Sequence, residues 1–501
     1  MFMIMRYNAV RFYNSPIQVE SPRWIFLCGM VALMLYRQSQ HLPSKSTVVH
    51  ALGSQNLLTV KHSSTKMSST PKPHYLAQAI INATAPVRAT IVTAGGGSSA
   101  ISAIASTPGA SRVFLEGRVL YDKRSFVDFL VQHQLPFTTP SPVDVHDDSL
   151  QHGSFCSQEA AIALSHAALK RSFELTPNLS LRRACIGVGC TSVLVSNQSH
   201  QGKERCHLAA IEANGTTNLY TCYLRQNSSN QPHCNRLEQE ELVTNLLLYS
   251  ILKKNTQDLE ATILHSTIHF ENPVKQIVEQ ITQGDSKCAL LAPSSSNILA
   301  PLIHTVLPLD CLVFPGSFNP PHAGHMALAR AAIRAIRHKR TNELENKKST
   351  NCIEDKLQQN LAVDNLVPAL VFELSITNAD KPSMAVEEIC RRIDLFGSLD
   401  MDLEENPMDW GVLLTAAPLF AQKVDILSET ISSAGHLPRI DEMPRLMSFV
   451  IGTDTMVRLI DPKYYGNSIN NMLDSMHKMK AKGVHFVVGG RLEQGKDANE
   501  R

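Results

Sequence analysis

The stretch CLVFPGSFNPPHAGHMALARAA, residues 311 to 332, places two glycines and two histidines between an apolar run and an alanine-rich helical segment. Glycine lets a phosphate approach the main chain, and the free N–H groups at a helix N-terminus attract anions. His322 and His325 lie three positions apart at this turn, so both can face a bound polyphosphate. The pattern predicts a phosphate site, although spacing alone fits a structural Gly/Pro turn with solvent-facing histidines equally well.

The whole motif GSFNPPHAGH resembles the His-x-Gly-His signature of the nucleotidyltransferase superfamily that makes dinucleotide-type cofactors. It resembles in particular the nicotinamide/nicotinate-mononucleotide adenylyltransferases, over about residues 308 to 492. The resemblance implies a Rossmann-like domain in which His322 and His325 are catalytic. It also implies contacts to ATP from four loop residues, Gly316, Ser317, Phe318 and Asn319.

Three further segments are similar to parts of the same family. FVIGTDTMVRLIDPKYY resembles the family's fourth strand and Gly-x-Asp loop, which implies that Gly452 and Asp454 lie near the adenosine of ATP. HFVVGGR resembles the fifth strand and the arginine after it, here Arg491. ELSITNADKP ends the second strand with Asn378 and Lys381, where the family contacts the mononucleotide. For Asp454, Lys381, Asn378 and Arg491 a purely structural or solvated role stays open.

The resemblance implies attack by a mononucleotide phosphate on the α-phosphorus of ATP, with Mg²⁺ present and pyrophosphate released. No protein nucleophile and no protein-bound metal are expected. Another adenylyl or cytidylyl transfer, or a catalytically inactive nucleotide-binding scaffold, remains an alternative. The family's second phosphate motif, Ile-Ser-Ser-Thr-x-x-Arg, is not found before Arg501. We therefore expect either a longer chain or a domain that lacks half of its triphosphate clamp.

Hydrophobic periodicity defines the elements that position these residues. Short apolar strands alternate with amphipathic helices, which predicts an α/β fold with a parallel sheet covered on both faces. The polar, charged segment 341–366 is expected to be a solvated insertion. The predicted strands are 311–314, 369–376, 412–415, 449–452 and 484–488, and the predicted helices are about 325–340, 384–396, 417–430 and 468–482.

A different resemblance precedes this domain. TAGGGSSAISAIASTPGASRVFLEGRVLY resembles the nicotinamide-mononucleotide deamidase family, also known as the C-terminal domain of CinA, loosely over residues 77 to 194. That family uses a serine nucleophile and a lysine five residues after a tyrosine. Here the serine position is Ala94 and the lysine position is Phe126, whereas Tyr121 is kept. Nucleophilic catalysis needs a hydroxyl paired with a base, and nearby Ser98 has no partner evident from sequence. The sequence predicts a degenerate α/β CinA-like domain without deamidase activity.

Length and composition set the wider expectations. A chain of 501 residues corresponds to two or three domains, which we expect at 1–73 (targeting or linker segment), 74–300 (CinA-like) and 307–501 (nucleotidyltransferase). Lys and Arg number 47 against 45 Asp and Glu, a balance that predicts no nucleic-acid partner. The 11 cysteines include no Cys-x-x-Cys pair, which favours a reducing compartment.

The N-terminal region differs in composition from the rest of the chain. WIFLCGMVALMLY, residues 24–36, is apolar but shorter than the roughly 20 residues that span a bilayer. Its basic, acid-poor surroundings fit an organelle transit peptide or a signal anchor. An untranslated stretch ahead of a later start at Met67 fits equally well. We expect a cytoplasmic or organellar protein without a transmembrane span, whose partner is a small mononucleotide; homo-oligomerisation stays open.

Overall fold

The computed structural model of the chain is an α/β structure built on two main sheets. Strands β13 (Asp402–Leu403) and β14 (Asn406–Pro407) form a separate small ladder. The residues that the structure describes are 2–6, 9–13, 72–84, 87–135, 154–197, 203–224, 235–253, 259, 263–269, 274–294, 298–308, 311–347, 367–377, 384–399, 402–403, 406–432 and 447–490.

The first main sheet has six strands in the order β4-β3-β5-β6-β7-β8. Its three strands β4, β3 and β5 are parallel, and the other three continue as an antiparallel meander. This half of the chain is therefore mixed rather than fully parallel. The strands are β3 (Arg88–Ala94), β4 (Phe114–Val119), β5 (Cys185–Val193), β6 (Arg205–Glu212), β7 (Thr217–Tyr223) and β8 (Ile263–Ile268).

Three of the described helices of this half begin at a residue whose side chain caps them. Ser157 is an N-cap residue, and its side chain accepts a hydrogen bond from the Ala160 N–H at 3.1 Å. Asn235 caps another helix, and the Glu238 side chain completes its capping box. The helices are α1 (Pro73–Ile81), α2 (Ser99–Ala105), α3 (Lys123–Gln132), α4 (Gln158–Glu174) and α5 (Arg236–Leu252).

The second main sheet contains a parallel unit of five strands in the order β15-β12-β11-β16-β17. All five predicted strands are confirmed, with ends that shift by no more than two residues. Both faces of the unit are covered by apolar clusters, which explains why its strands are predominantly apolar. The strands are β11 (Cys311–Pro315), β12 (Ala369–Ser375), β15 (Trp410–Thr415), β16 (Met447–Gly452) and β17 (Val484–Gly489).

The four predicted helices of this half are also present. One of them, α7, extends to Lys347 and so takes in the start of the expected insertion 341–366, because that start contains good helix formers and neither glycine nor proline. The rest of the insertion, residues 348–366, lies outside the described residues. The helices are α7 (Ala323–Lys347), α8 (Val386–Asp394), α9 (Phe420–Ser432), α10 (Thr453–Leu459) and α11 (Ile469–Ala481).

Antiparallel strands extend both edges of the second sheet. On one edge β9 (Cys288–Pro293) pairs with β15, and β10 (Leu299–Pro301) pairs with β9. Helix α6 (Val274–Gln283) packs its buried residues into the apolar cluster that covers one face of the parallel unit. The segment before residue 300, which the sequence assigned to the first domain, thus supplies elements to the second sheet, because its apolar run Ala289-Leu-Leu-Ala completes a buried edge.

On the other edge, β1 (Phe2–Arg6) pairs with β17, and β2 (Ala9–Tyr13) pairs with β1. These ten residues fall in the expected targeting or linker segment 1–73, whose residues 14–71 lie outside the described part. No helix within the described ranges combines the length and apolar character needed to cross a bilayer.

The two halves share one apolar core. Residues of α4 in the first half and of β11 and β15 in the second belong to a single buried cluster. Polar contacts cross the same boundary: the Asp409 carboxylate accepts hydrogen bonds from the Leu179 and Ser180 N–H groups. The fully buried Arg182 donates to the Val306 carbonyl.

Candidate functional site

The loop predicted to bind phosphate leaves the carboxyl end of β11. Its first residue, Gly316, donates its N–H to the Glu373 carbonyl on β12 at 3.0 Å. Phe318 is fully buried with a left-handed φ of 43° and packs against Phe314 and Phe372. A Cβ on Gly316 would lie 2.7 Å from the Phe318 ring, so a larger residue there would force the buried ring to move. A buried aromatic side chain therefore anchors the loop, while Ser317 and Asn319 are exposed.

The structure brings the two predicted histidines together at the start of α7. The ring centroids of His322 and His325 are 3.8 Å apart. The His325 Nδ1 accepts from the His322 N–H at 3.2 Å, and the His322 Nδ1 accepts from the Gly324 N–H at 3.1 Å. A neutral imidazole whose Nδ1 accepts carries its proton on Nε2. Each ring thus keeps an Nε2–H that can donate to a ligand.

The two histidines differ in their surroundings. His322 is exposed, whereas His325 is half-buried, with its ring centroid 5.2 Å from that of Phe318 and 5.9 Å from that of Phe314. Burial lowers the pKa of His325 to about 4, and the nearby His322 adds to the effect. His325 is therefore neutral at pH 7 in the free protein, and it is a hydrogen-bond donor rather than a fixed cation.

The predicted adenosine side lies on the neighbouring strand. β16 is hydrogen-bonded to β11, and Gly452 ends it at the same carboxyl edge as the loop. Asp454 follows in the first turn of α10 and is exposed. Nothing lies within 4 Å of a Cβ built on Gly452, so the space beside it is open. The strand order reverses direction between β11 and β16, which is where open parallel sheets bind ligands.

The remaining predicted residues cannot be placed. Asn378, Lys381 and Arg491 all lie outside the described residues. Within the described part of the chain, no group of three or more His, Cys, Asp or Glu residues is arranged to hold a metal ion.

Two arginines that the sequence interpretation missed contact the loop from α8. Arg391 donates to the Asn319 Oδ1 at 2.6 Å, and Arg392 donates to the Ser317 carbonyl at 2.9 Å. Both guanidinium groups also bind Glu388, and the hydrogen bonds from Arg391 and then Arg392 lower the pKa of that carboxyl to about 2. The available signal was the charge spacing in VEEICRRID, where residues three and four apart face each other on a helix.

A buried ion pair lies beneath the same edge of the sheet. Glu373 on β12 is fully buried, and its two carboxylate oxygens accept from the Lys423 Nζ at 2.6 and 2.7 Å. The buried Thr415 hydroxyl, at the end of β15, donates to the same carboxylate. A glutamate inside the otherwise apolar strand ALVFELS was the signal for this group, and the sequence interpretation did not use it.

In the first half, the glycine loop after β3 already holds an anion of the chain itself. The Glu240 carboxylate on α5 accepts from the Gly97 N–H at 2.8 Å, the Ser99 N–H at 3.1 Å and the Ser98 hydroxyl at 2.9 Å. Ser98 therefore has a partner, contrary to the expectation from sequence, because that partner is 142 positions away. Phe126, at the family's lysine position, is buried in the core.

No protein-family model matches the chain, and no curated protein matches it. Among solved structures, it is similar to the competence/damage inducible protein CihA from Agrobacterium tumefaciens, with 20% identity and a TM-score of 0.28, covering 37% of this chain and 98% of that one. It is also similar to a competence or damage-inducible protein from Enterobacter asburiae, with 12% identity and a TM-score of 0.27, over 36% and 98% of the two chains. A CinA superfamily protein from Escherichia coli is 14% identical, with a TM-score of 0.27, and the match covers 38% of this chain and 94% of that one.

Proposed function

We propose that this chain transfers the adenylyl group of ATP to the phosphate of a mononucleotide. The observation that carries the proposal is the contact between His322 and His325 at the end of an anchored loop, on the edge where the order of parallel strands reverses. The resemblance of GSFNPPHAGH to the mononucleotide adenylyltransferases names nicotinamide or nicotinate mononucleotide as the acceptor, and so NAD synthesis or salvage as the context.

The reaction forms one P–O bond and breaks another. An oxygen of the acceptor phosphate attacks the α-phosphorus of ATP, and the bond from that phosphorus to the bridging oxygen of the β-phosphate breaks. Pyrophosphate leaves with the electron pair of the broken bond, and no protein group becomes covalently attached. Catalysis then consists of holding the two phosphates in line and neutralising charge as it develops.

The loop supplies two histidine side chains and several main-chain N–H groups to this scheme. His325 donates from Nε2 to the transferring phosphate, and His322 assists it. Loop N–H groups from Ser317 to Asn319 cradle the phosphates of ATP, and Gly316, whose own N–H donates to the Glu373 carbonyl, lets them approach the main chain. A polyanion also stabilises the protonated form of His325, which burial disfavours in the free protein.

The other predicted residues complete the two sides of the site. Gly452 and Asp454 take the adenosine side and Arg491 the phosphates of ATP, while Asn378 and Lys381 take the mononucleotide. Mg²⁺ enters with ATP, because this ion binds through one or two carboxylates together with substrate phosphates. Asp454 is an exposed carboxylate on the same edge of the sheet.

A nucleotide-binding scaffold without turnover is the second candidate, and a feature of the first half favours it. Glu240 occupies the N–H groups of the glycine loop there, so an incoming anionic substrate meets a negative charge. In the scaffold candidate the second half has also lost its catalytic activity, and its loop binds ATP without transferring the adenylyl group. Another adenylyl or cytidylyl transfer would use the same loop with a different acceptor or donor.

The test compares pyrophosphate release from ATP by the full chain and three histidine variants, with nicotinamide or nicotinate mononucleotide as acceptor. A donor aimed at developing phosphate charge contributes about 10²- to 10³-fold in rate, so His325→Ala is expected to lower kcat by that factor. His322→Ala should cost less. His338→Ala is the matched control, because His338 is exposed on the same helix about 20 Å farther along its axis.

Each outcome decides between the candidates. Loss of turnover in His325→Ala with full activity in His338→Ala supports adenylyl transfer through the loop. Equal activity in the wild type and His325→Ala refutes the role given to the loop. A wild type that binds ATP and releases no pyrophosphate with either acceptor, or with a cytidylyl donor, supports the scaffold.

A further inference from the structure

The buried Glu373–Lys423 pair joins three elements beside the start of the candidate phosphate loop, on the sheet face opposite to Phe318. Glu373 lies on β12, Lys423 lies on α9, and Thr415 ends β15. Glu373 and Thr415 are completely buried and the exposed fraction of Lys423 is 5%. The carboxylate accepts two hydrogen bonds from Lys423 and one from Thr415. The negative charge of Glu373 and the positive charge of Lys423 therefore compensate each other within the group.

The same residue is also bonded to the loop through its main chain. The Glu373 carbonyl accepts the N–H of Gly316, the residue at which the loop leaves β11. The side chain of Glu373 thus fixes the strand from the α9 face, while its carbonyl fixes the beginning of the loop. The Ser375 hydroxyl adds a further hydrogen bond at this edge, by donating to the Ala417 carbonyl at 2.9 Å.

Stability alone gives little reason for charges at these positions. The neighbouring side chains on that face, Val371 and Leu413, are apolar and buried. Well-packed apolar residues in place of a buried ion pair are often as stabilising or more so, because desolvation offsets the attraction between the charges. An ion pair with defined hydrogen bonds adds directional contacts at the strand ends, and such contacts give conformational specificity in some proteins.

We propose that Glu373, Lys423 and Thr415 are positioning residues for the candidate phosphate loop, and that they set the place of Gly316 and, through the loop, of His325. The inference rests on the proposed function for its kinetic part only. The ring of His325 packs on Phe314 and Phe318, so a displaced loop changes the surroundings of that ring even when no substrate is present.

The experiment uses the full chain with Lys423→Met, Thr415→Val and a control, Val424→Ala. Thr415→Val conserves shape and removes only the hydroxyl, so it remains informative where Lys423→Met fails to fold. Val424 is buried on the same helix, next to Lys423, and belongs to the same apolar cluster. Its truncation lowers stability without touching the ion pair. Thermal unfolding first identifies a temperature at which all the compared proteins are folded.

Two measurements are then made at that temperature. NMR of ¹³C-labelled histidine rings, with the His325 signal assigned from His325→Ala, reports the loop in the absence of substrate. Steady-state pyrophosphate release separates kcat from the KM for ATP. We expect Lys423→Met to shift the His325 signal and to lower kcat by about 10- to 100-fold, since small misplacements of reacting groups cost that much. Thr415→Val should act in the same direction by a smaller factor, and Val424→Ala should leave both readouts unchanged.

The outcomes separate this inference from the proposed function. An unshifted His325 signal in Thr415→Val and Lys423→Met overturns the positioning role, as does a shift of equal size in Val424→Ala. A wild type that binds ATP without turnover refutes the proposed function, and the NMR readout alone then decides the inference. A signal that moves only in the ion-pair variants supports it.

Discussion

A pair of histidines at the boundary between the two halves should make the protein sensitive to acid. His166 lies on α4, and His304 lies between β10 and β11; the His166 Nδ1 and the His304 Nε2 are 3.0 Å apart. One proton lies between these nitrogens when both rings are neutral, and protonating both rings would place two cations in contact. Lys170, one turn along α4, adds positive charge to the same surroundings.

The magnitude follows from the pKa of His166. Burial, and then the charge of Lys170, lower that pKa from 6.5 to about 4. The unfolded chain binds the proton below pH 6.5 and the folded chain only near pH 4, so stability present at pH 7 is lost as the pH falls through this window. The loss amounts to about 2 kcal/mol at pH 5 and approaches about 3 kcal/mol below pH 4. The pKa of His304 is lowered in the same direction, by burial and by His166.

Thermal unfolding at pH 7 and pH 5 tests this reasoning. The variant His166→Asn/His304→Asn keeps polar groups that can bond to each other and removes the titration. The wild type is expected to lose several degrees more than the double variant between the two pH values. His338→Asn, at an exposed position, should behave like the wild type. An identical pH dependence in the wild type and the double variant would refute the account of this contact.

Two further predictions concern the glycine loops of the two halves. Gly316→Ala should lower stability by about 1–3 kcal/mol and weaken ATP binding, measured by thermal unfolding and calorimetry, because the new Cβ would lie 2.7 Å from the Phe318 ring. The first half should release no ammonia from nicotinamide mononucleotide, because Glu240 occupies its loop and no nucleophile–base pair remains at the family's positions. Ammonia release that disappears in Ser98→Ala or Ser99→Ala would contradict this.

The elements of the second half were accessible from sequence because their pattern is strong. Strands such as Cys311–Pro315 are apolar throughout and alternate with helices of clear periodicity, which is typical of a parallel sheet covered on both faces. The glycines and histidines from the end of β11 to the first turn of α7 then predicted where the candidate site lies. Their spacing at a helix start predicted that His322 and His325 can face the same ligand, and the structure adds that the two rings lie in contact.

Long-range polar partners were not accessible in the same way. Ser98 and Glu240, or Glu373 and Lys423, are far apart in sequence, and no local pattern says which charge meets which. A charged residue in an apolar strand signals that a buried partner exists, but only the packing of α9 on the sheet identifies it. The sequence also did not predict that β9 and β10 join the second sheet, since an apolar run fits the edge of either sheet.

The most direct test of adenylyl transfer follows the α-phosphorus of ATP. The full chain is incubated with Mg²⁺, ATP labelled with ³²P at the α-position, and nicotinamide or nicotinate mononucleotide, and the products are separated by chromatography. If the chain transfers the adenylyl group, the label appears in a dinucleotide and an equal amount of unlabelled pyrophosphate is released. Label that stays in ATP, although calorimetry shows that the protein binds both ligands, would contradict it.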